Sequence, residues 1–212
     1  SWHLTVPAGA PAEADLQAAI DAELEAVNDS MSTWLEGSEI SRFNRLPPGQ
    51  AMTVSPRFAA VLEAALAIGD ASGGAYDVTV APLVDLWGFG PEGPRNGVPD
   101  PAALAEVRAR VGQDKLAWDP ESRRLEKQAA LALDFSSIAK GYAVDRVAGI
   151  VEARGFTDYL VEIGGEMRVA GQSPRGDAWR VAVERPEAGI RAVARGIELS
   201  DRAIATSGDY RN

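Results

Sequence analysis

Apolar residues recur at Leu16, Ile20, Leu24, Val27 and Met31, three or four positions apart. This spacing predicts an amphipathic helix of about five turns that ends near Ser32-Thr33-Trp34. Ahead of it, Trp2-His3-Leu4-Thr5-Val6 reads as a strand. Ser55-Pro56 marks a second helix start, a capping serine followed by proline in the first turn. Phe58, Val61, Leu62, Ala65 and Leu66 form its apolar face, and Ser72-Gly73-Gly74 stops it. Between the two helices, Leu35 to Pro48 reads as irregular. A third helix is predicted over Pro101 to Val111, after a Gly/Pro-rich loop in which Trp87-Gly88-Phe89-Gly90 reads as a packed anchor.

Strand patterns then appear around Lys115–Trp118, Arg124–Glu126 and Ala130–Phe135. Ile138, Tyr142, Val147, Ile150 and Val151 mark a fourth helix, closed by Gly155. Strands follow one another after it: Asp158–Ile163, Glu166–Gly171, Trp179–Glu184, Ala192–Leu199 and Ala203–Thr206. Helices concentrate early and strands late. The fold class is therefore α+β rather than a regular doubly wound sheet, arranged as one large domain or two small lobes.

Composition narrows the chemistry. The 212 residues carry a formal net charge of -10 and no Lys/Arg run. An acidic surface of this kind disfavours nucleic acid as a partner. The absence of cysteine excludes thiol nucleophiles, Cys-zinc sites and disulfides. With a single histidine, His3, a serine-protease triad or a multi-His metal site is not in view. A metal would be held by oxygen ligands, which points to magnesium or calcium. No apolar run reaches the roughly 18 residues that a membrane span needs. The chain opens inside a strand pattern without an initiator Met, which reads as a trimmed start.

Clusters of small, hydroxyl and acidic residues sit at element junctions. Ser136-Ser137-Ile138-Ala139-Lys140-Gly141 lies at a strand-to-helix junction, either as a plain helix cap or as an anion site. Gly164-Gly165-Glu166 is either a tight hairpin turn or a place where a ligand approaches the backbone. Thr206-Ser207-Gly208-Asp209 is either a turn or a phosphate nest. Gly73–Asp77 places Tyr76 and Asp77 after a flexible turn. Met31 and Trp34 flank a helix end, as core packing or as a stacking face. Ser38–Asn44 is either a short capped segment or an internally bonded loop.

In this order and spacing, the motifs resemble the ApbE family of flavin transferases over nearly the whole chain. The resemblance implies mainly antiparallel sheets with helices packed on them, in one domain spanning 1–212. It implies an enzyme that uses Mg2+ to split FAD, moves FMN to a Thr or Ser hydroxyl of an acceptor protein and releases AMP. Acceptors are expected among subunits of respiratory redox complexes. Localisation is expected to be periplasmic, through an N-terminal lipoprotein anchor. Carried over by position, the implied FAD contacts are Met31, Trp34, Ala75, Tyr76, Asp77, Ser136 and Tyr142, and the carbonyl of Ala139 is an implied Mg2+ ligand. No general base is assigned; Asp77 and Glu166 are the nearest carboxylates.

The family pattern continues after Thr206–Tyr210 with a His-containing strand and a further metal-ligand segment. The expectation is a truncated chain with weak or absent catalysis alone. An FAD pyrophosphatase giving free FMN, and a non-catalytic flavin-binding module, stand as alternatives. A dinucleotide-binding oxidoreductase is disfavoured, because no G-x-G-x-x-G follows the first strand.

Overall fold

The structure is a computed structural model; it describes residues 1–6, 13–95, 97–186 and 192–207. The helices are α1 (Glu13–Met31), α2 (Glu39–Asn44), α3 (Pro56–Ala71), α4 (Ala81–Leu86), α5 (Pro101–Arg108) and α6 (Ala139–Glu152). The strands are β1 (Trp2–Thr5), β2 (Gln50–Thr53), β3 (Leu116–Asp119), β4 (Arg124–Lys127), β5 (Tyr159–Ile163), β6 (Glu166–Ala170), β7 (Trp179–Glu184), β8 (Val193–Leu199) and β9 (Arg202–Ile204). This is the mixed, antiparallel α+β architecture that the sequence implies. The chain divides into two compact units, residues 1–24 with 140–212, and residues 25–139.

In the first unit, an antiparallel sheet runs in the order β1-β5-β6-β9, and β7 and β8 form a separate antiparallel pair. Alternation along β5 serves both faces of the sheet. Tyr159 and Val161 pack with Leu16 and Ile20 of α1 and with Val144, Val147, Ala148 and Val151 of α6. Leu160, between them, packs on the opposite side with Val169, Trp179 and Leu199. The β5–β6 turn needs two residues with positive φ, and Gly164 (57°) and Gly165 (96°) supply them.

In the second unit, a small antiparallel sheet runs β2-β4-β3. Ser55 caps α3 as predicted, accepting from the Phe58 N–H at 3.2 Å. Ile40, Phe43, Phe58, Leu62, Leu125, Leu131, Leu133 and Phe135 are fully buried. The Phe58 and Phe135 rings meet edge to face, 5.0 Å between centroids.

Three expectations are corrected and two elements are added. The stretch read as irregular contains α2, capped by Ser38, whose side chain accepts from the Ser41 N–H at 3.1 Å. Helix α4 and strand β2 went unread because elements of six and four residues are too short to display a period. Ala130–Phe135 is not a ladder strand: it makes one parallel bridge, Ala132 to Val80. Leu133 pairs with the side chain of Asn44. Finally, Trp87 and Phe89 are not packed anchors but stand exposed. Gly90 beside them lies close under Asp85, whose carboxyl would have to move aside for a Cβ there.

Candidate functional site

The predicted contact residues divide between the units. Met31, Trp34, Ala75, Tyr76, Asp77, Ser136 and Ala139 belong to residues 25–139, whereas Tyr142 belongs to the other unit.

Met31 closes α1 and is buried, 4% exposed, so its side chain serves the core. Trp34, three residues on, is 68% exposed and presents a free indole face. The turn between them centres on the carbonyl of Ser32. It accepts from the Leu35 N–H (3.4 Å) and from the hydroxyls of Ser38 (2.7 Å) and Ser41 (3.4 Å).

The turn at Gly73 and Gly74, with φ of 63° and 82°, leads into Ala75–Asp77. The Tyr76 N–H donates to the Ser72 hydroxyl at 3.0 Å, and the Tyr76 and Ser137 hydroxyls meet at 3.0 Å. The Asp134 N–H donates to the carbonyl of Val78 at 2.8 Å. The structure therefore brings Ala75–Asp77 alongside Asp134–Ser137. The resemblance names Ser136 as the contact, whereas the hydroxyl that meets Tyr76 is that of Ser137.

Asp77 is occupied internally. Its Oδ1 accepts from the N–H (2.8 Å) and hydroxyl (2.7 Å) of Thr79, and its Oδ2 from the Gln113 N–H (3.2 Å). The Thr79 hydroxyl in turn accepts from the Gly112 N–H at 2.7 Å. A carboxylate so engaged holds the loop rather than offering itself as a base. Asp134 Oδ1 accepts from the Ser136 N–H at 2.6 Å, shaping the turn into α6. Burial, then the nearby carboxylates of Glu92 and Asp134, push the Asp85 carboxyl up, and Arg95 opposes them.

In the first unit, Tyr142 lies half-buried on the first turn of α6. Nearby in sequence, the Lys140 ammonium lies 2.8 Å from Glu166 Oε2 and 3.5 Å from the carbonyl of Gly164. Its approach to Glu166 is close but off the hydrogen-bond direction, so the contact is an ion pair. The Gly165 N–H donates to Glu162 Oε1 at 2.7 Å, and a Cβ on Gly165 would sit 3.8 Å from the Thr206 hydroxyl. The rest of the Thr206–Tyr210 motif, from Gly208 onward, lies outside the described residues.

The Ala139 carbonyl opens α6 and is committed to the helical ladder, with one lone pair left over. Among the described residues no group of three or more His, Cys, Asp or Glu side chains could hold a metal ion. One carbonyl does not fit magnesium, which prefers carboxylates and an octahedral shell. A cleft of about 680 Å³ opens between the end of α1 and the start of α2 and α3, and none of the predicted contacts lines it. No helix among the described residues is long and apolar enough to cross a membrane.

The fold has close counterparts among known proteins. The profile described as ApbE family matches residues 1–212. FAD:protein FMN transferase of Vibrio cholerae is 46% identical over 198 residues, covering 93% of this chain and 59% of the relative. The Escherichia coli K12 protein of the same name is 34% identical, covering 100% of this chain and 61% of the relative. Among solved structures, flavin transferase ApbE from Vibrio cholerae superposes with a TM-score of 0.89 at 42% identity, over 99% of this chain and 68% of that one. The apo form of Pseudomonas stutzeri flavinyl transferase ApbE gives 0.87 at 38% identity, over 100% and 68%. The chain belongs to the ApbE family, and it spans 59 to 61% of the length of these two curated relatives.

Proposed function

We propose that the protein represented by this chain is an FAD:protein FMN transferase. The observation that supports this most is the family match along all 212 residues, with relatives named for that activity at 34 to 46% identity. In the reaction, an acceptor Thr or Ser hydroxyl attacks the phosphorus of the FMN half of FAD. The anhydride bond to the AMP phosphate breaks, AMP leaves and the hydroxyl proton is given up. Chemistry of this kind depends on positioning and charge stabilisation more than on a protein nucleophile. A chain with no cysteine and one histidine is compatible with that demand.

In this reading the exposed Trp34 indole stacks on a flavin or adenine ring. Ala75–Asp77 and Ser136 supply further FAD contacts, with Asp77 acting through the backbone it holds. Magnesium is the metal that the family resemblance implies, and the described residues do not by themselves form its site. A periplasmic lipoprotein location and a respiratory redox subunit as acceptor belong to the same proposal.

The test is to incubate the protein with FAD and such an acceptor, then read flavin fluorescence on the denatured acceptor together with AMP. Covalent labelling with stoichiometric AMP supports the transferase. Free FMN with unlabelled acceptor favours the pyrophosphatase. FAD bound but unchanged favours the flavin-binding module.

A further inference from the structure

Helix α2 is six residues long, yet its side chains reach the Met31–Trp34 turn and, at Leu133, the stretch that leads to Ser136. Glu39 is buried, 7% exposed. Its Oε1 accepts from the Ser55 N–H at 2.6 Å, and its Oε2 from the hydroxyls of Ser55 (2.7 Å) and Ser30 (3.1 Å). Ser30 immediately precedes Met31. The hydroxyls of Ser38 and Ser41 both donate to the Ser32 carbonyl, inside the Met31–Trp34 turn.

At the other end, Asn44 acts like a short piece of strand. Its Nδ2 donates to the Leu133 carbonyl at 2.9 Å, and its Oδ1 accepts from the Leu133 N–H at 2.7 Å. Leu133 adjoins Asp134, whose carboxylate shapes the turn at Ser136. Buried Lys127 secures this end: its Nζ donates to the Asn44 carbonyl at 2.7 Å, a group with no partner within the helix. The same ammonium lies 5.9 Å from the centre of the buried Phe43 ring. Phe43 and Ile40 anchor α2 in the core, both 0% exposed.

We infer that α2 is the positioning element of the flavin site. Glu39, with Ser38 and Ser41, fixes Met31–Trp34; Asn44 fixes Leu133–Ala139; the rigid helix between them sets the distance from one segment to the other. None of the six residues is itself a predicted flavin contact. The inference rests on reading Met31–Trp34 and Ser136–Ala139 as flavin-contact segments.

The test pairs amide hydrogen exchange with FAD titration by flavin fluorescence, on wild type, Asn44→Ala and Glu39→Ala. Asn44→Ala is expected to speed exchange at Leu133, Ile138 and Ala139 by about tenfold or more, leaving Ser32, Leu35 and Ser38 within about twofold. Glu39→Ala is expected to do the reverse, with Ser55 included. Each variant should weaken FAD binding by about fivefold or more. Asn44→Asp keeps the acceptor for the Leu133 N–H, so it should hold Leu133 protection and lose less affinity; it also serves if Asn44→Ala does not fold.

Exchange that rises evenly across residues 25–139, or that leaves Ile138 and Ala139 unchanged in Asn44→Ala, overturns the inference. So does localised loosening with FAD affinity intact. A wild type that binds no FAD overturns the flavin reading, and the flavin role of α2 with it. The exchange pattern separates that result from a failure of the clamp itself.

Discussion

In residues 1–24 with 140–212, the backbone is held by the antiparallel ladder β1-β5-β6-β9, and charged side chains pair at its surface. In residues 25–139, the segments around Met31, Tyr76 and Leu133 have no such ladder. Buried or half-buried polar side chains replace it: Glu39, Asn44, Asp77 and Lys127 each bond to backbone groups. A ladder spreads its stability over many equivalent bonds, whereas a side-chain clamp concentrates it in one residue. The second design permits irregular backbone of the kind ligand sites use, and makes it sensitive to single substitutions.

The largest effect should come from the apolar support beneath those clamps. Phe135→Ala removes a fully buried ring that packs edge to face on Phe58. A loss of about 3–5 kcal/mol is expected in urea denaturation. A loss below about 1 kcal/mol would mean that the Leu133–Ser137 segment carries little of the unit's packing.

Asp77→Ala comes next. It leaves the Thr79 N–H, the Thr79 hydroxyl and the Gln113 N–H without their acceptor. The expected loss is about 2–3 kcal/mol, with Asp77→Asn recovering part of it through the retained Oδ1. If Asp77→Ala is no worse than a surface substitution, water replaces the carboxylate and the clamp is decorative.

This contrast also explains what the sequence disclosed. The ladder unit was legible because its strands and α6 show their periods plainly: Tyr159, Val161 and Leu160 sort to opposite faces by alternation alone. The clamp unit was legible where a period or cap ran, in α3 behind Ser55, in α5 and in β3 and β4, and not in the segments that the clamps hold. Asn44 and Leu133 are 89 positions apart, and no local pattern announces a side chain standing in for a strand. The buried alternation of Leu131, Leu133 and Phe135 resembles a ladder strand for that reason. The candidate residues were located through their order along the chain, but that order conveys neither the burial of Met31 nor the internal engagement of Asp77. Those depend on contacts distant in sequence.

Buried Tyr159 in the ladder unit makes a polar contact that sharpens the comparison. The Tyr159 hydroxyl donates to Glu152, whose Oε1 also receives Arg168 at 2.9 Å. Burial, then this bond, push the phenol from its ordinary 10.0 up to about 12. The folded state thus keeps a proton that the unfolded chain releases. The contribution is fully present below pH 10 and is lost as pH rises towards 12, about 2–3 kcal/mol in all. Lys127 works in the opposite sense, since burial lowers its pKa from 10.5. The difference between wild type and Tyr159→Phe cancels that term. Denaturation across this alkaline window should show wild type losing its advantage over Tyr159→Phe; parallel curves would remove the hydroxyl from the account.

The smallest effect should fall on the surface of the ladder unit. Arg180 and Glu198 face each other across β7 and β8, with Nε and Oε1 3.1 Å apart. Their side chains are 59% and 67% exposed, so water screens the pair and both chains give up rotamer freedom to make it. Glu198→Ala should change stability by no more than about 0.5 kcal/mol, and 0.5 M salt, roughly a 4 Å screening length, should erase the difference. The ladder beneath it does not depend on that contact, because the Val181–Ile197 and Trp179–Leu199 pairs keep their register and their apolar packing. An effect as large as that of Asp77→Ala would mean that β7 and β8 are also held by a side-chain clamp, and the distinction between the two units would collapse.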